Sequence, residues 1–241
     1  MHNKVLLNTI LASLFIFINC SSFAQDLHNE QSLKTKADSL LKYFYDNDKL
    51  MGSVTISKAG KVVYEKAVGY SHITANDKIL ETMDTRYRIG SISKMFTAVM
   101  IFQLIDEKKL SLDVPLSKYF PGIPNSDSIT IGNMLNHHSG LYNFTNDSEY
   151  AAYHTSPKTE DEMLKIFENH KPEFNPDEKG AYSNTNYVLL GYIIEKITGD
   201  SYASQLKKRI IDKIGLDNTY YGHKININND EASSYTMVDD K

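Results

Sequence analysis

Hydrophobic residues recur at the spacing of a helix in residues 30–45, "EQSLKTKADSLLKYFY". Apolar positions three and four apart predict an amphipathic helix. Its apolar face comprises Leu33, Ala37, Leu40, Leu41 and Phe44. The pattern then becomes that of strands, because "SVTIS" and "KVVYEKAV" flank a turn at Ala59-Gly60. This order predicts a β-hairpin.

A nearly continuous apolar run, "ISKMFTAVMIFQLI", extends from Ile92 to Ile105. Apolar side chains all round a helix indicate burial on most sides, so we expect this helix to lie inside the molecule. A polar connector precedes the segment "DTRYRIG", which leads into this run. After the run we expect loops and a short helix around "ITIGNMLNHH".

Three later helices are marked by residues that begin or end them. Thr159 and Glu162 have the spacing of a capping box at the start of a helix. The segments "TNYVLLGYIIEKITG" and "SYASQLKKRIIDKIG" end at Gly199 and Gly215, and glycine commonly closes a helix. The predicted order is therefore a helix, a hairpin and then many helices.

Strands are scarce in the sequence after the hairpin. A two-stranded hairpin is at best marginally stable alone in water, and it needs further strands or a packed helix. No convincing strand follows, and the ending "EASSYTMVDDK" has neither a cap nor a closing element. We therefore expect that the sequence stops before its domain does, and that residues 25–241 form one incomplete domain.

Residues 1–24 have the pattern of a secretory signal peptide. Lys4 precedes an apolar run that is too short to span a bilayer comfortably, and small residues follow before Ala24. Cys20 raises the alternative of a lipid anchor, but Asn19 before it is bulkier than such sites usually accept. We expect cleavage after Ala24 and a periplasmic or secreted protein, with lipid at Cys20 as the only route to a membrane.

Composition narrows the classes of function. The net charge of −4 offers no basic surface, so we expect no nucleic-acid partner. Cys20 is the only cysteine, which leaves no disulfide framework after cleavage. Adjacent side chains such as His137 and His138 point apart, and no H-E-x-x-H or paired acidic ligand accompanies them. We therefore expect neither a metal nor another cofactor.

The spacing Ser-x-x-Lys is the first candidate for catalytic chemistry. It occurs three times, at Ser39 and Lys42, at Ser91 and Lys94, and at Ser204 and Lys207. The first and last pairs fall on amphipathic helices, where residues three apart are neighbours on a solvated face. The spacing alone is therefore weak evidence for an active site.

Ser91 and Lys94 have a different setting, because Gly90 precedes them and an apolar helix follows. Burial and the positive end of the helix dipole both disfavour a charged amine, and a neutral amine beside Ser91 can accept its hydroxyl proton. The Ser91 peptide N–H can also hold an oxyanion. The alternative is that Ser91 caps the helix while Lys94 extends into solvent.

Tyr182-Ser183-Asn184 is the second candidate segment. Acyl transfer to a serine needs another proton-transfer group near the leaving group, and a tyrosine close to a lysine can serve. An amide such as that of Asn184 can bind a substrate carbonyl or hold the lysine. The alternative is an ordinary turn in which Ser183 or Asn184 caps the next helix. The Tyr-x-Asn pattern also occurs at Tyr45-Asp46-Asn47, so it too is weak alone.

Taken together, the segments resemble the serine β-lactamase and penicillin-binding protein family, in its class C β-lactamase and DD-peptidase-like branch. "GKVVYEKAVGYS" is similar to the opening hairpin of that family, and "YRIGSISKMFTA" to its nucleophile segment. "MLNHHSGLYNF" resembles the family's L-T-H-T-S-G-L, and "YSNTNYVLLGYIIEKITG" its second motif and following helix. The order and mutual spacing of these segments make the resemblance specific.

The resemblance implies a role for each candidate residue. Ser91 would be the acylated nucleophile, Lys94 its base and Tyr182 the second proton-transfer residue. Asn184 would contact the substrate and the lysine. His137 stands where the family has a structural histidine, so we assign it no part in catalysis.

The resemblance also implies a fold and two departures from it. The fold class is α/β of the α+β type, with an antiparallel sheet flanked by helices and a helical subdomain. The family's third motif, K-T-G or H-x-G on a late strand, is missing after Tyr182; Lys58-Ala59-Gly60 and His138-Ser139-Gly140 both precede it. We therefore expect the C-terminal strands to be missing. Asp177 also replaces the glycine usual in the turn before the second motif.

These observations favour an exported serine hydrolase that acts through an acyl-enzyme. Three substrates remain open: a β-lactam, a D-Ala-D-Ala peptide of the peptidoglycan type, and a simple ester. The alternative is a truncated family member that is inactive or only binds its ligand. A secreted helical domain with coincidental motifs is the simplest competing hypothesis.

Overall fold

The computed structural model describes residues 30–235, so the predicted signal peptide and Cys20 lie outside the described residues. The described residues divide into two compact units, one formed by residues 30–88 and 223–235 and the other by residues 89–222. In the first unit, residues 30–46 form helix α1. Its strands are β1 (Gly52–Lys58), β2 (Lys61–Val68), β3 (Tyr70–Ile73) and β4 (Lys78–Leu80).

Strands β1 and β2 form the predicted antiparallel hairpin. Lys58 pairs with Lys61 at its closed end, and the two turn residues have positive φ angles of 50° at Ala59 and 75° at Gly60. Two successive left-handed residues define the type I′ turn that suits the twist of a hairpin. The sequence prediction of the hairpin and its turn is therefore confirmed.

Helix α1 is joined to this hairpin by a polar contact. The Asp38 carboxylate accepts hydrogen bonds from the buried Tyr64 hydroxyl at 3.0 Å and from Lys66 Nζ at 2.5 Å. The hydrogen bonds from Lys66 and Tyr64 hold the pKa of Asp38 below its ordinary value. The helix predicted from the apolar spacing is confirmed, and Leu41 from its apolar face is buried.

The predicted polar connector contains a second two-stranded sheet. Strands β3 and β4 pair antiparallel, with an irregularity between Tyr70 and His72. Residues 223–235 belong to the same unit, where the Ser233 N–H donates to the Ser71 carbonyl and Arg86 forms a parallel bridge with Glu231. Strands of four and three residues are too short for the alternation of polar and apolar positions to reveal them.

The second unit is helical in the part of the chain that the structure describes. Its longer helices are α2 (Ser93–Asp106), α5 (Glu160–Glu168) and α6 (Asn184–Thr198). Shorter helices are α3 (Ile131–Leu135), α4 (Tyr150–Tyr153), α7 (Tyr202–Leu206) and α8 (Asp212–Ile214), with a π-helical segment at Lys207–Ile211 between the last two.

The predicted helix boundaries of this unit are confirmed. Thr159 and Glu162 form a complete capping box at the start of α5. Gly199 and Gly215 are left-handed at the ends of α6 and α8, as glycine closures require. The short helix expected around "ITIGNMLNHH" is α3, which Thr130 caps.

Helices α2 and α6 supply the centre of the hydrophobic core of this unit. Side chains from both helices are fully buried: Met100, Ile101, Leu104, Leu189, Leu190, Ile193 and Ile194. Burial of one such side chain stabilises the fold by about 1.5–3 kcal/mol. The contact between α2 and α6 therefore fixes the positions of their N-terminal ends, where the candidate site residues lie.

The expectation that the apolar helix is buried on most sides is wrong. Met95 is 64% exposed, Val99 47% and Phe102 49%, whereas Thr97 on the opposite face is buried. When apolar residues lie all round a helix, the sequence pattern does not indicate which face packs against a neighbouring element. In residues 30–235, no helix is both long enough and apolar enough to span a bilayer.

Candidate active site

Ser91 lies in a tight turn that leads into helix α2. Gly90 has a φ of +52°, and residues Gly90–Ile92 form a single 3₁₀ turn. The N-cap of α2 is Ile92, and neither this helix nor the 3₁₀ turn has a side-chain cap. The alternative in which Ser91 caps the helix is therefore wrong, and its hydroxyl is directed elsewhere.

The Lys94 amine lies one helical turn from Ser91 and faces its hydroxyl. Lys94 Nζ is 3.3 Å from Ser91 Oγ and 2.8 Å from Asn184 Oδ1, so it donates to both oxygens. Lys94 Nζ also lies 4.8 Å from the centre of the Tyr182 ring and 5.5 Å from that of Tyr187. Lys94 is half-buried, which is less than its placement in an apolar run suggested.

Tyr182 completes a three-way contact with Ser91 and Lys94. Its Oη lies 2.6 Å from Ser91 Oγ, although the residue itself is half exposed. Burial opposes ionisation of the phenol, but the hydrogen bonds and charge of Lys94, together with the Ser91 hydrogen bond, outweigh it. The pKa of Tyr182 therefore lies below its ordinary value, as a tyrosine that exchanges protons with its neighbours requires.

The extended backbone at Ser183 explains why the side chains of Tyr182 and Asn184 face the same side of the segment. Ser183 has φ −137° and ψ 124°, and alternate residues of an extended segment face the same side. Ser183 itself is buried, and its hydroxyl donates to the Tyr142 carbonyl at 3.2 Å. Ser183 occupies the N-cap position of α6, but its hydroxyl does not cap the helix.

Asn184 begins α6 and holds the lysine. Besides accepting from Lys94, its amide donates through Nδ2 to Thr145 Oγ1 at 3.0 Å. Its backbone N–H donates to Asn143 Oδ1, also at 3.0 Å. Sequence reasoning did not include Asn143 or Thr145. The polar residues within "YNFTN" directly after "HHSGL" are the only trace of them in the sequence.

His137 packs behind the Tyr182 segment. Its ring centre is 4.6 Å from that of Tyr182, and its Nδ1 accepts the Ser183 backbone N–H at 3.2 Å. Burial and the positive charge of Lys94 lower the pKa of His137. The neutral ring that results keeps Nδ1 as an acceptor. These contacts position the segment, in agreement with the structural role that the resemblance implied.

His138 faces a different neighbour, the turn at Asp177. His138 Nδ1 is 3.9 Å from the Asp177 carboxylate, which also accepts from Asn133 Nδ2 at 2.8 Å. Asp177 has a φ of +63°, the conformation for which the resemblance expects glycine, and aspartate tolerates it better than most residues. In residues 30–235 no cluster of three or more His, Cys, Asp or Glu side chains is arranged to hold a metal.

The other two Ser-x-x-Lys pairs have local partners, as predicted. Ser39 Oγ donates to the Thr35 carbonyl, and Lys42 pairs with Asp46. Ser204 Oγ donates to Asp200, while Lys207 pairs with Asp212. Of the three Ser-x-x-Lys pairs in the described residues, the lysine amine bonds the serine hydroxyl at Ser91 and Lys94.

A cavity of about 490 Å³ opens beside Lys94 and Asn184. Lys94, Asn184 and Thr145 provide polar atoms at its wall, and much of the remaining lining is aromatic. The aromatic side chains include Tyr150, Tyr192 and Tyr202. The cavity is bordered by Lys94 and Asn184 rather than by Ser91 or Tyr182, and a space of this size can hold part of a small molecule.

Comparison with known proteins establishes the family. Residues 39–241 match the family described as Beta-lactamase, and the chain therefore belongs to it. The resemblance inferred from the sequence and the mixed α/β fold class are confirmed.

Similar proteins are hydrolases and penicillin-binding protein homologues. The teichoic acid D-alanine hydrolase of Staphylococcus aureus is 31% identical over 170 residues, which are 70% of this chain and 41% of that protein. The octameric penicillin-binding protein homologue from Pyrococcus abyssi matches 85% of this chain and 48% of its own, with a TM-score of 0.71 and 32% identity. The D-amino acid amidase from Ochrobactrum anthropi SV3 matches 76% and 54%, with a TM-score of 0.66 and 30% identity. The chain spans about half the length of the relatives it matches.

Proposed function

We propose that this protein is an exported serine hydrolase that forms an acyl-enzyme on Ser91. The observation that carries the proposal is the position of Ser91 Oγ, which lies within hydrogen-bonding distance of both Lys94 Nζ and Tyr182 Oη. A serine hydroxyl is a weak nucleophile until a neighbouring group takes its proton. Two such groups, Lys94 and Tyr182, contact the Ser91 hydroxyl.

In the proposed reaction Ser91 Oγ attacks the substrate carbonyl and its proton passes to Lys94. Tyr182 donates a proton to the leaving group as the carbonyl–leaving-group bond breaks, and it regains one from Lys94. Water then attacks the acyl-enzyme and the same groups return the proton to Ser91. The Ser91 peptide N–H, in the first turn of the 3₁₀ segment, is the proposed donor to the developing oxyanion.

For the substrate we propose a D-aminoacyl ester or amide. Support comes from the names of two relatives, a teichoic acid D-alanine hydrolase and a D-amino acid amidase. Both names specify a D-configured aminoacyl group. A D-Ala-D-Ala peptide also carries such a group, whereas a β-lactam and a simple ester are not defined by one. A substrate of the cell envelope also agrees with export after removal of residues 1–24 and with an extracellular or periplasmic location.

The alternative is a family member that binds an acyl donor beside Ser91, Lys94 and Tyr182 without turning it over.

Turnover of matched substrates separates these hypotheses. The purified protein is assayed with D-alanyl and L-alanyl p-nitrophenyl esters, nitrocefin and a D-Ala-D-Ala peptide, beside Ser91→Ala. We expect the D-alanyl ester to be the best substrate, with a rate at least about 10³-fold above that of Ser91→Ala. Saturable binding without turnover would favour the binding-only alternative, and equal rates for both proteins would exclude Ser91 as the nucleophile.

A further inference from the structure

We infer that Thr145 is a positioning residue that orients the side-chain amide of Asn184 toward Lys94. The effect of Thr145 on catalysis rests on the proposed function, whereas its effect on the orientation of the Asn184 amide does not. The amide of Asn184 has an oxygen and a nitrogen of similar size, so its orientation depends on its hydrogen-bond partners. Those partners are Lys94 on one side and Thr145 on the other.

The orientation of the Asn184 amide follows from a chain of contacts that starts at a group of fixed polarity, the backbone N–H of the same residue. The backbone N–H of Asn184 can only donate, and it points at the side chain of Asn143 at 3.0 Å. The atom of Asn143 that faces it must therefore be the amide oxygen. Asn143 is buried, with 7% of its surface exposed, and its Nδ2 donates to Asn146 Oδ1 at 3.2 Å.

The fixed oxygen of Asn143 then sets the direction of the Thr145 hydroxyl. Thr145 Oγ1 lies 3.0 Å from Asn143 Oδ1, and since that oxygen can only accept, the hydroxyl must donate its proton there. The lone pairs of Thr145 are left to accept from a donor. Asn184 Nδ2 lies 3.0 Å away and provides that donor.

The last consequence is that the oxygen of the Asn184 amide faces Lys94 Nζ at 2.8 Å. With the amide reversed, its NH₂ group would face an amine that also donates, and this contact would be lost. Lys94 would lose its shorter contact with an oxygen and keep the longer one, 3.3 Å to Ser91 Oγ, beside its contacts with the Tyr182 and Tyr187 rings. Thr145 thus acts on the candidate base through Asn184 and without touching Ser91.

The segment that carries Asn143 and Thr145 is itself attached to the start of α6. The Tyr142 carbonyl accepts hydrogen bonds from two hydroxyls, Thr185 Oγ1 at 2.6 Å and Ser183 Oγ at 3.2 Å. The Phe144 backbone N–H donates to Thr185 Oγ1. Removing the Thr145 hydroxyl alone therefore leaves the segment in place, so a valine variant isolates the effect on the amide.

The test compares Thr145→Val, which keeps the shape and removes the hydroxyl, with Thr145→Ser, which keeps the hydroxyl. If the Asn184 amide loses its hydrogen bond to Thr145, we expect the rate to fall by about 10- to 100-fold. We expect that loss in kcat for Thr145→Val with KM and melting temperature little changed, and a rate within about threefold of wild type for Thr145→Ser. Thr198→Val is the matched control, because its hydroxyl bonds carbonyls at the far end of α6.

A second readout does not depend on turnover. In ¹⁵N-labelled protein, the side-chain NH₂ of Asn184 should exchange slowly with water in wild type and Thr145→Ser, and quickly in Thr145→Val. Unchanged exchange in the valine variant, or an equal loss of kcat in the serine variant, would overturn the inference. If wild type and Ser91→Ala hydrolyse equally, the proposed function fails, and the exchange experiment still decides the orientation.

Discussion

The hydroxyl oxygens of Ser91 and Tyr182 lie 2.6 Å from each other, although 91 residues separate them in the sequence. Each side chain is at the N-terminal end of a helix that supplies the core, Ser91 before α2 and Tyr182 before α6. Packing of these helices brings the two ends together, and Lys94 contacts both side chains. The serine hydroxyl therefore has a candidate proton-transfer group on either side.

Removing the Tyr182 hydroxyl should impair catalysis without unfolding the protein. A proton-transfer group contributes about 10²- to 10⁴-fold to the rate, so we expect kcat/KM of Tyr182→Phe to fall by that factor. Because half of the side chain is exposed, the melting temperature should change little. Ester hydrolysis and thermal melting of the same preparation test this, and a fully active phenylalanine variant would remove Tyr182 from the mechanism.

The Tyr182 phenol should ionise at lower pH than the other tyrosines around it. Contacts with Lys94 and Ser91 lower its pKa, whereas burial raises that of Tyr192 to about 12. The ultraviolet titration curve should lose a phenolate step at its low-pH end in Tyr182→Phe, and that step should move to higher pH in Lys94→Met. A lysine variant with an unchanged titration curve would contradict the assigned cause.

Acidification should destabilise the protein through His137. Burial and the Lys94 charge hold its folded-state pKa below the ordinary value of 6.5. Between the two values the unfolded chain binds more protons, so stability falls as the pH decreases below about 6.5. The backbone of His137 is left-handed, with a φ of 63°. His137→Asn tolerates that conformation and keeps an acceptor for Ser183, but it cannot titrate.

Thermal melts at pH 7.5 and 5 measure this dependence. The loss of melting temperature on acidification should be smaller in His137→Asn than in wild type. Equal losses in both proteins would show that His137 does not contribute.

Gly140 should tolerate alanine much less well than Gly199. Both residues have positive φ angles, but a Cβ on Gly140 would lie 2.0 Å from the Phe174 carbonyl oxygen, whereas one on Gly199 meets nothing within 4 Å. We expect Gly199→Ala to lower the free energy of unfolding by about 1 kcal/mol and Gly140→Ala by about 3 kcal/mol or more. Urea unfolding measures both, and similar costs would contradict the close approach.

Features set by local interactions could be predicted from the sequence. The hairpin turn at Ala59-Gly60, the capping box at Thr159 and the closure at Gly199 each depend on residues within one or two turns of one another. The spacing of Ser91 and Lys94 put the two side chains within reach along one helical turn, but Ser39 and Ser204 share that spacing with a lysine and bond elsewhere. The family resemblance then connected this pair to Tyr182 and Asn184.

Features that depend on distant neighbours could not be predicted. The exposure of Met95 and the burial of Met100 on the same apolar helix are decided by which face meets α6. The contact of Thr145 with Asn184 joins residues 39 apart, and no spacing rule indicates it. The sheet of β3 and β4 was missed because strands of four and three residues are too short to show a reliable alternation of polar and apolar positions.

Ser91 is the proposed nucleophile, and neither of the other serines with the same spacing to lysine is. Ser39 and Ser204 are controls within the same chain, since their lysines pair with carboxylates. Reaction with a fluorophosphonate, followed by peptide mapping with mass spectrometry, distinguishes the three serines. We expect one adduct, on Ser91, which is lost in Ser91→Ala and strongly reduced in Lys94→Met. An unmodified Ser91, or equal modification of all three serines, would rule out Ser91 as the nucleophile.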